Sequence, residues 1–208
     1  MIKFYIGKSK TGKSFKMMNE IANDENKNLI YLVPEQFNLE AEKQLINKMK
    51  LEGLINIDVL SFNRLVNNVL KSVGDIKKIE IDDFGKIMII RKVLEKKKND
   101  LEFYKKSVNK KGLIDKFNSL FKMIKVNGLN ENDFKNIFES ESLDISLKKK
   151  SNDIVKIYSE FNGFLSNGYF DDEDKMNFVI EKIDETGILD NASIWIDEFH
   201  GFNELQMK

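Results

Sequence analysis

The sequence is 208 residues long, 41% apolar and 33% charged, with 34 acidic side chains balancing 34 basic ones. That is an ordinary balance for a soluble chain long enough to bury a core, and zero net charge gives no global attraction to nucleic acid. The absence of cysteine excludes disulfides, thiolate metal sites and cysteine-held clusters from this segment, and a single histidine, His200, excludes a poly-histidine centre.

No apolar run approaches the roughly 18 residues of a membrane span, and the N-terminus lacks the apolar stretch and cleavage site of a signal peptide. A cytoplasmic protein without membrane partners is expected. Lys3-Phe4-Tyr5-Ile6 reads as a buried strand, followed by a glycine loop and a helix over 13–22. Leu29 to Val33 reads as a second strand, stopped by Pro34. Residues 38–50 have helical spacing through Leu39, Leu45, Ile46 and Met49. Ile57 to Leu60 reads as a third strand, after which Ser61 caps a helix carrying Phe62, Leu65, Val66, Val69 and Leu70. Three strand–helix units in a row predict a parallel sheet covered by helices.

Beyond Gly74 the pattern turns helical. Phe84, Ile87, Met88, Arg91 and Leu94 lie along one stripe, and Leu113, Ile114, Phe117, Leu120, Phe121 and Ile124 form a second that ends at Gly128. A third runs from Ile154 through Ile157, Tyr158, Phe161 and Phe164 to Leu165, and a fourth helix is expected over 172–185. Such stripes bury only against one another, which predicts an all-helical subdomain. Strand character returns at 192–198. The predicted organisation is therefore an α/β core over 1–75, a helical insertion over 76–188 and a return to the core over 189–208.

Gly7-Lys8-Ser9-Lys10-Thr11-Gly12-Lys13-Ser14 fits the phosphate-loop pattern G-x-x-x-x-G-K-[ST]. Backbone N–H groups of the octet and the following helix N-terminus would cradle ATP phosphates. Lys13 would reach the β- and γ-phosphates and Ser14 would offer its hydroxyl to Mg²⁺. Lys8 and Lys10 belong to the nucleotide-binding octet, with side chains read as solvated. A phosphate loop needs an acidic partner, and Ile194-Trp195-Ile196-Asp197-Glu198 supplies one. Asp197 would hold Mg²⁺ through water, as metal ligand and catalytic residue, while Glu198 would polarise the attacking water. His200 reads equally as a nucleotide or DNA sensor and as a surface histidine.

On these segments the chain resembles the N-terminal region of the AddB family, the B subunits of the bacterial ATP-dependent helicase/deoxyribonuclease, in the form found in Firmicutes. The resemblance rests on Phe4 to Gly7 leading into Thr11 to Ser14, on Leu32-Val33-Pro34-Glu35-Gln36-Phe37, on Val59 to Leu65, and on Trp195 to Phe202. It covers essentially the whole chain. It implies a P-loop NTPase with a RecA-like domain of the superfamily 1 helicase type, interrupted by a helical subdomain. It also implies an A subunit as partner, double-stranded DNA ends and single-stranded DNA as substrates, and a role in recombinational repair. The 4Fe–4S cluster of the family is expected in a nuclease region far downstream, so this chain looks like an N-terminal fragment, incomplete at its C-terminus and inactive alone. In helicases of this type a further strand inserts between the phosphate-loop strand and the acidic strand. The family commonly carries glycine where Glu198 stands here, which favours retained hydrolysis.

The lysine clusters at 96–98, 105–106, 110–111 and 148–150 read mostly as solvated surface, with a DNA-facing side of the helical subdomain as the sharper alternative. Phe62 reads equally as core and as a base-stacking platform. The rival functions are a stand-alone P-loop enzyme such as a small-molecule kinase, and a non-catalytic assembly protein that keeps nucleotide as a structural ligand.

Overall fold

The computed structural model describes residues 2–26, 28–49, 57–74, 77–129, 131–138 and 144–208. The chain divides into two compact units, Met1–Asp75 with Val179–Phe202, and Ile76–Phe178 with Asn203–Lys208. The junction expected at 75/76 and the last position of the helix expected over 38–50 lie outside the described residues, as does the side chain of Met49.

The first unit is a parallel α/β layer. Helix α1 (Lys13–Ala22) precedes strand β1 (Leu29–Leu32), helix α2 (Asn38–Met49), strand β2 (Ile57–Leu60) and helix α3 (Phe62–Val73). Strand β1 lies in the middle of a three-stranded sheet, parallel to β2 on one side and on the other to β5 (Ser193–Ile196), which comes from the far end of the sequence. Parallel central strands are covered on both faces, and every residue of β1 is buried. Alternation sends Leu29, Tyr31 and Val33 to one side, with Met17, Met18 and Ile21 of α1 and Ala41 and Leu45 of α2. Ile30 and Leu32 go to the other, with Leu60 and the partly buried Phe62 and Leu65 of α3. The start of α3 is set by Ser61, whose side chain accepts from the Arg64 N–H. Leu39, assigned to the apolar stripe of α2, is instead exposed.

The expected first strand does not form. Among the described residues, Lys3 to Ile6 pair with no strand, and Phe4 and Ile6 are 80% and 95% exposed. The segment is held by its other face: Lys3 Nζ and Tyr5 Oη each donate to Glu20 of α1 at 2.5 Å, and Tyr5 leans on Trp195. Strand structure needs a neighbouring ladder to take up N–H and C=O groups, and no described strand runs beside 3–6. The outward residues of β5, Ile194 and Ile196, are each 48% exposed.

The second unit is helical. Helices α4 (Asp83–Lys97), α5 (Lys111–Val126), α6 (Glu131–Phe138) and α7 (Ile145–Ser166) precede α8 (Asp172–Thr186), which runs on into the first unit, and α9 (Glu204–Met207) ends the chain. The stripes of α5 and α7 pack as the periodicity predicts, with Phe117, Phe121, Ile157, Tyr158 and Phe161 at the centre. The stripe of α4 does so only in part. Leu94 is buried and Ile87 packs on the core, but Phe84 and Met88 are 69% and 60% exposed, and Ile90 and Val93 are buried in their stead. The run Ile87-Met88-Ile89-Ile90 is apolar around the whole helix, so spacing cannot select the inner face. Two short strands also escaped the pattern: β3 (Ile79–Glu80) pairs in parallel with β4 (Tyr169–Phe170).

Buried charge organises this unit. Asp153, fully buried, accepts from the backbone N–H groups of Glu102, Phe103 and Tyr104 and so clamps the loop after α4. Lys125 Nζ stands 2.7 Å from Asp171 and 2.9 Å from Asp174. Burial opposes charge on both partners, yet the two carboxylates raise the Lys125 pKa and the Lys125 ammonium lowers that of Asp171. Among the described residues no helix is long and apolar enough to cross a membrane.

Two outcomes follow from this packing. Lys125→Met should cost about 3–5 kcal/mol in urea unfolding at neutral pH, because it strands the Asp171 carboxylate in the interior. Asp171 has a lowered folded-state pKa, so its contribution in the parent chain is complete above its unfolded value of 3.8 and is lost as pH falls through the folded value. The gap between parent and variant should therefore narrow on acidification, first as the stranded Asp171 of the variant takes up a proton above its ordinary value and then as the parent loses its ion pair below pH ~4; a gap that is independent of pH would contradict the ion-pair account. In the first unit, amide hydrogen exchange should protect residues 29–32 strongly and residues 3–6 weakly, and equal protection of the two would show that 3–6 is paired in solution.

Candidate functional site

Two glycines shape the loop between residue 6 and α1. A Cβ on Gly7 would lie 2.8 Å from Thr11 Oγ1, and Gly12, at φ +83°, caps α1 from the left-handed region. Lys10 is also left-handed, at φ +61°. Within the loop Thr11 Oγ1 donates to Lys8 O at 2.8 Å, and Lys13 Nζ donates to Gly7 O at 3.1 Å and Lys8 O at 2.8 Å. The octet is thus closed on itself, with the Lys13 ammonium at its centre and Ser14 in the first turn of the helix.

The acidic pair arrives on β5. Asp197 N donates to Leu32 O at 3.0 Å, continuing the β1–β5 ladder by one residue. The backbone then turns left-handed at Glu198, at φ +63°, and its N–H donates to Asp197 Oδ1 at 2.8 Å. This turn directs Glu198 towards the loop: Ser14 Oγ donates to Glu198 Oε1 at 3.1 Å, across 184 positions of sequence. Asp197 Oδ2 accepts from the Tyr31 hydroxyl at 3.0 Å. The carboxylate beside Ser14 is therefore that of Glu198, while Asp197 is held one strand over by Tyr31. Burial first, and then the neighbouring Asp197 carboxylate, push the Tyr31 phenol far above its ordinary pKa, so it remains a donor. In sequence Tyr31 is one more residue of an apolar strand, with no signal that marks it as part of the site. A small cavity of about 110 Å³ lies against Ser14, Tyr31, Asp197 and Glu198, floored by Met18 and Phe37.

Two further predicted segments meet in space. Ser61 Oγ donates to Glu35, and Arg64 pairs with Glu35 at 3.8 Å and Glu42 at 3.4 Å. Phe62 packs edge-on against Phe199 and Phe202, with centroids 5.4 and 6.2 Å away. It belongs to an aromatic cluster on the second face of the sheet. His200 is exposed. Lys96 and Lys97 bind Glu160, and Lys149 binds Glu102. Among the described residues no group of three or more His, Asp and Glu side chains is arranged to hold a metal ion.

Fold and site together define a mixed α/β protein, a parallel three-stranded sheet flanked by helices, with a helical unit that follows β2 and precedes β5 in sequence. The chain belongs to the AddB N-terminal family, whose model matches residues 4–208. It is 38% identical over 205 residues to the B subunit of the ATP-dependent helicase/deoxyribonuclease of Alkaliphilus oremlandii, covering 97% of this chain and 18% of that protein. The corresponding B subunits of Alkaliphilus metalliredigens and Clostridium perfringens strain 13 are each 36% identical, over 97% and 99% of this chain and again 18% of their own length. The chain thus spans about a fifth of the curated relatives that it matches.

Replacing Tyr31 by Phe removes the phenol donor to Asp197. The variant should lose about 1 kcal/mol of stability in thermal unfolding; no loss would mean that water serves Asp197 equally well.

Proposed function

We propose that this chain is the nucleotide-gripping N-terminal part of a B subunit that acts with an A subunit on DNA ends in the cytoplasm, for recombinational repair. Its first unit would be a RecA-like, superfamily 1 type ATP-binding core, and its second a helical insertion in that core. The observation that carries this reading is the 3.1 Å contact between Ser14 and Glu198, which joins a phosphate-loop sequence to an acidic strand end 184 residues away. The relatives' names, B subunit of an ATP-dependent helicase/deoxyribonuclease, support a role on DNA, and the family resemblance implies DNA ends.

The octet Gly7, Lys8, Ser9, Lys10, Thr11, Gly12, Lys13 and Ser14 is the proposed phosphate cradle. Lys13 would exchange the Gly7 and Lys8 carbonyls for phosphate oxygens, an ammonium moving from neutral to charged acceptors. Mg²⁺ prefers a few hard oxygens and keeps phosphate and water as its other ligands. The Ser14 hydroxyl and the Asp197 carboxylate, the latter through water, fit that preference. When bound, the ion neutralises charge that develops on the transferred phosphate. Ser14 and Asp197 would hold the ion, Tyr31 would fix the Asp197 carboxylate, and Glu198 would orient the attacking water. Glu198 occupies a left-handed backbone position that costs a non-glycine residue about 1–2 kcal/mol, and the family resemblance implies that glycine is common there. Keeping a glutamate at that cost supports a task for its carboxylate. With no cysteine, this segment offers no ligand to an iron–sulfur cluster, and none is assigned to it.

In the complete protein, Lys13→Ala should weaken ATP binding by roughly tenfold to a hundredfold, the loss of one charged hydrogen-bonding group. Equal affinity of folded parent and variant in calorimetry would refute the nucleotide assignment. Glu198→Gln should keep binding and lower ATP turnover, measured with the A subunit's own ATPase inactivated. Unchanged turnover would remove Glu198 from the catalytic role and leave the binding assignment standing.

A further inference from the structure

The helical unit carries a groove of about 580 Å³ between the end of α4 and the last turns of α7, lined by Lys96, Lys97, Lys156, Gly163, Phe164 and Asn167. Its charge is uneven. Lys92 and Lys96 hold their ammonium groups 5.1 and 5.7 Å from the centre of the Phe164 ring. Lys156 reaches the rim and donates to Asp100 O at 3.0 Å. Glu160 is the one carboxylate among the lining residues, and it binds Lys96 at 2.5 Å and Lys97 at 3.2 Å. Two ammonium groups thus share the Glu160 carboxylate, while Lys92 stands over Phe164 and Lys156 meets a backbone carbonyl. Each ammonium has three donors, and these bonds use at most one apiece.

Gly163 is the second observation. It lies within α7, where glycine costs about 0.5–1 kcal/mol relative to alanine. A Cβ built on it meets nothing within 4 Å. Packing of the unit therefore gives no reason for a glycine there, whereas a ligand approaching the bare helix backbone does. The neighbouring Phe164 is half-buried, anchored on the helical core and exposed towards the groove that it lines.

We propose that this groove holds a single strand of nucleic acid, with phosphates on Lys92, Lys96 and Lys156 and a base or sugar against Phe164 and the open backbone of Gly163. A basic track with an aromatic face is how single strands are held without sequence preference. The identity of the polyanion rests on the proposed role at DNA ends; the site itself rests on the groove.

The test uses the 208-residue chain and a fluorescein-labelled oligothymidylate, followed by anisotropy from low to physiological salt. Lys92→Gln, Lys96→Gln and Lys156→Gln are combined, leaving Lys97 to partner Glu160. A control combines Lys105→Gln, Lys106→Gln and Lys110→Gln, three exposed lysines elsewhere in the same unit. The groove variant should bind about tenfold more weakly or worse, and its salt slope should fall by about 2, from three phosphate contacts at roughly 0.7 each. The control should change far less. Gly163→Ala should melt at a higher temperature yet bind several-fold more weakly, an opposition that a purely structural glycine would not produce. Equal losses in groove and control variants, or undiminished binding by Gly163→Ala, would overturn the groove while leaving the DNA reading intact. Absence of any binding by the unaltered chain would overturn the groove, and absence of binding by the complete B subunit would overturn the DNA reading as well.

Discussion

The parallel pairing of β1 with β5 is the constraint on which the site depends. Leu29 to Leu32 and Ser193 to Ile196 are separated by more than 150 residues of mostly helical chain, yet they run in register as neighbours. Side chains fasten the return as well as the ladder does. Asn28 Nδ2 donates to Ile188 O and Asp190 O, and Asn26 Nδ2 to Asn191 O and Ser193 Oγ. Once β5 is set in that register, Asp197 must emerge one step past Leu32, beside the hydroxyl of Tyr31, and the left-handed turn at Glu198 carries the second carboxylate to Ser14. A slip of one residue would exchange the faces of β5 and put Trp195 where Ile194 and Ile196 now point outward.

The helical unit solves a different problem. It buries a contiguous apolar cluster, and charged side chains stand beside that cluster. Lys86 with Glu173, Lys125 with Asp171, and Asp153 with three backbone donors lie in or near the interior. Such groups add less to net stability than hydrophobic replacements of the same shape could. What they impose is geometry, since each charge tolerates only the arrangement that satisfies it. The loop after α4 is shaped in this way by Asp153, and the start of α8 by Asp171, which accepts from the Asp174 N–H.

Much of this architecture was legible in the sequence, and the exceptions share a cause. The stripes of α5 and α7 were readable because polar residues alternate with apolar ones at helical spacing. In α4 the run Ile87 to Ile90 is apolar on every side; Leu94 is buried as its spacing predicts, but the choice of Ile90 and Val93 over Phe84 and Met88 came from the neighbours. Lys3 to Ile6 has the composition of a strand, but a strand is a relation between segments, and here no described segment lies alongside. Tyr31 was hidden because a buried tyrosine in an apolar strand looks like core until its hydroxyl is seen to meet Asp197.

By itself the sequence determined the local chemistry of this protein: the glycines at 7 and 12 that let the loop close, the strand ending in two carboxylates, the capping Ser61 and the family to which the chain belongs. Those features are encoded in residue type and short spacing, which act over a few residues and need no partner. Only the tertiary structure decided that Glu198 rather than Asp197 stands beside Ser14, that Glu35 meets Ser61 and Arg64, and that Gly163 opens a basic groove. Each of these joins distant segments, and the free energy that selects it comes from burial and pairing across the fold, which no local pattern contains.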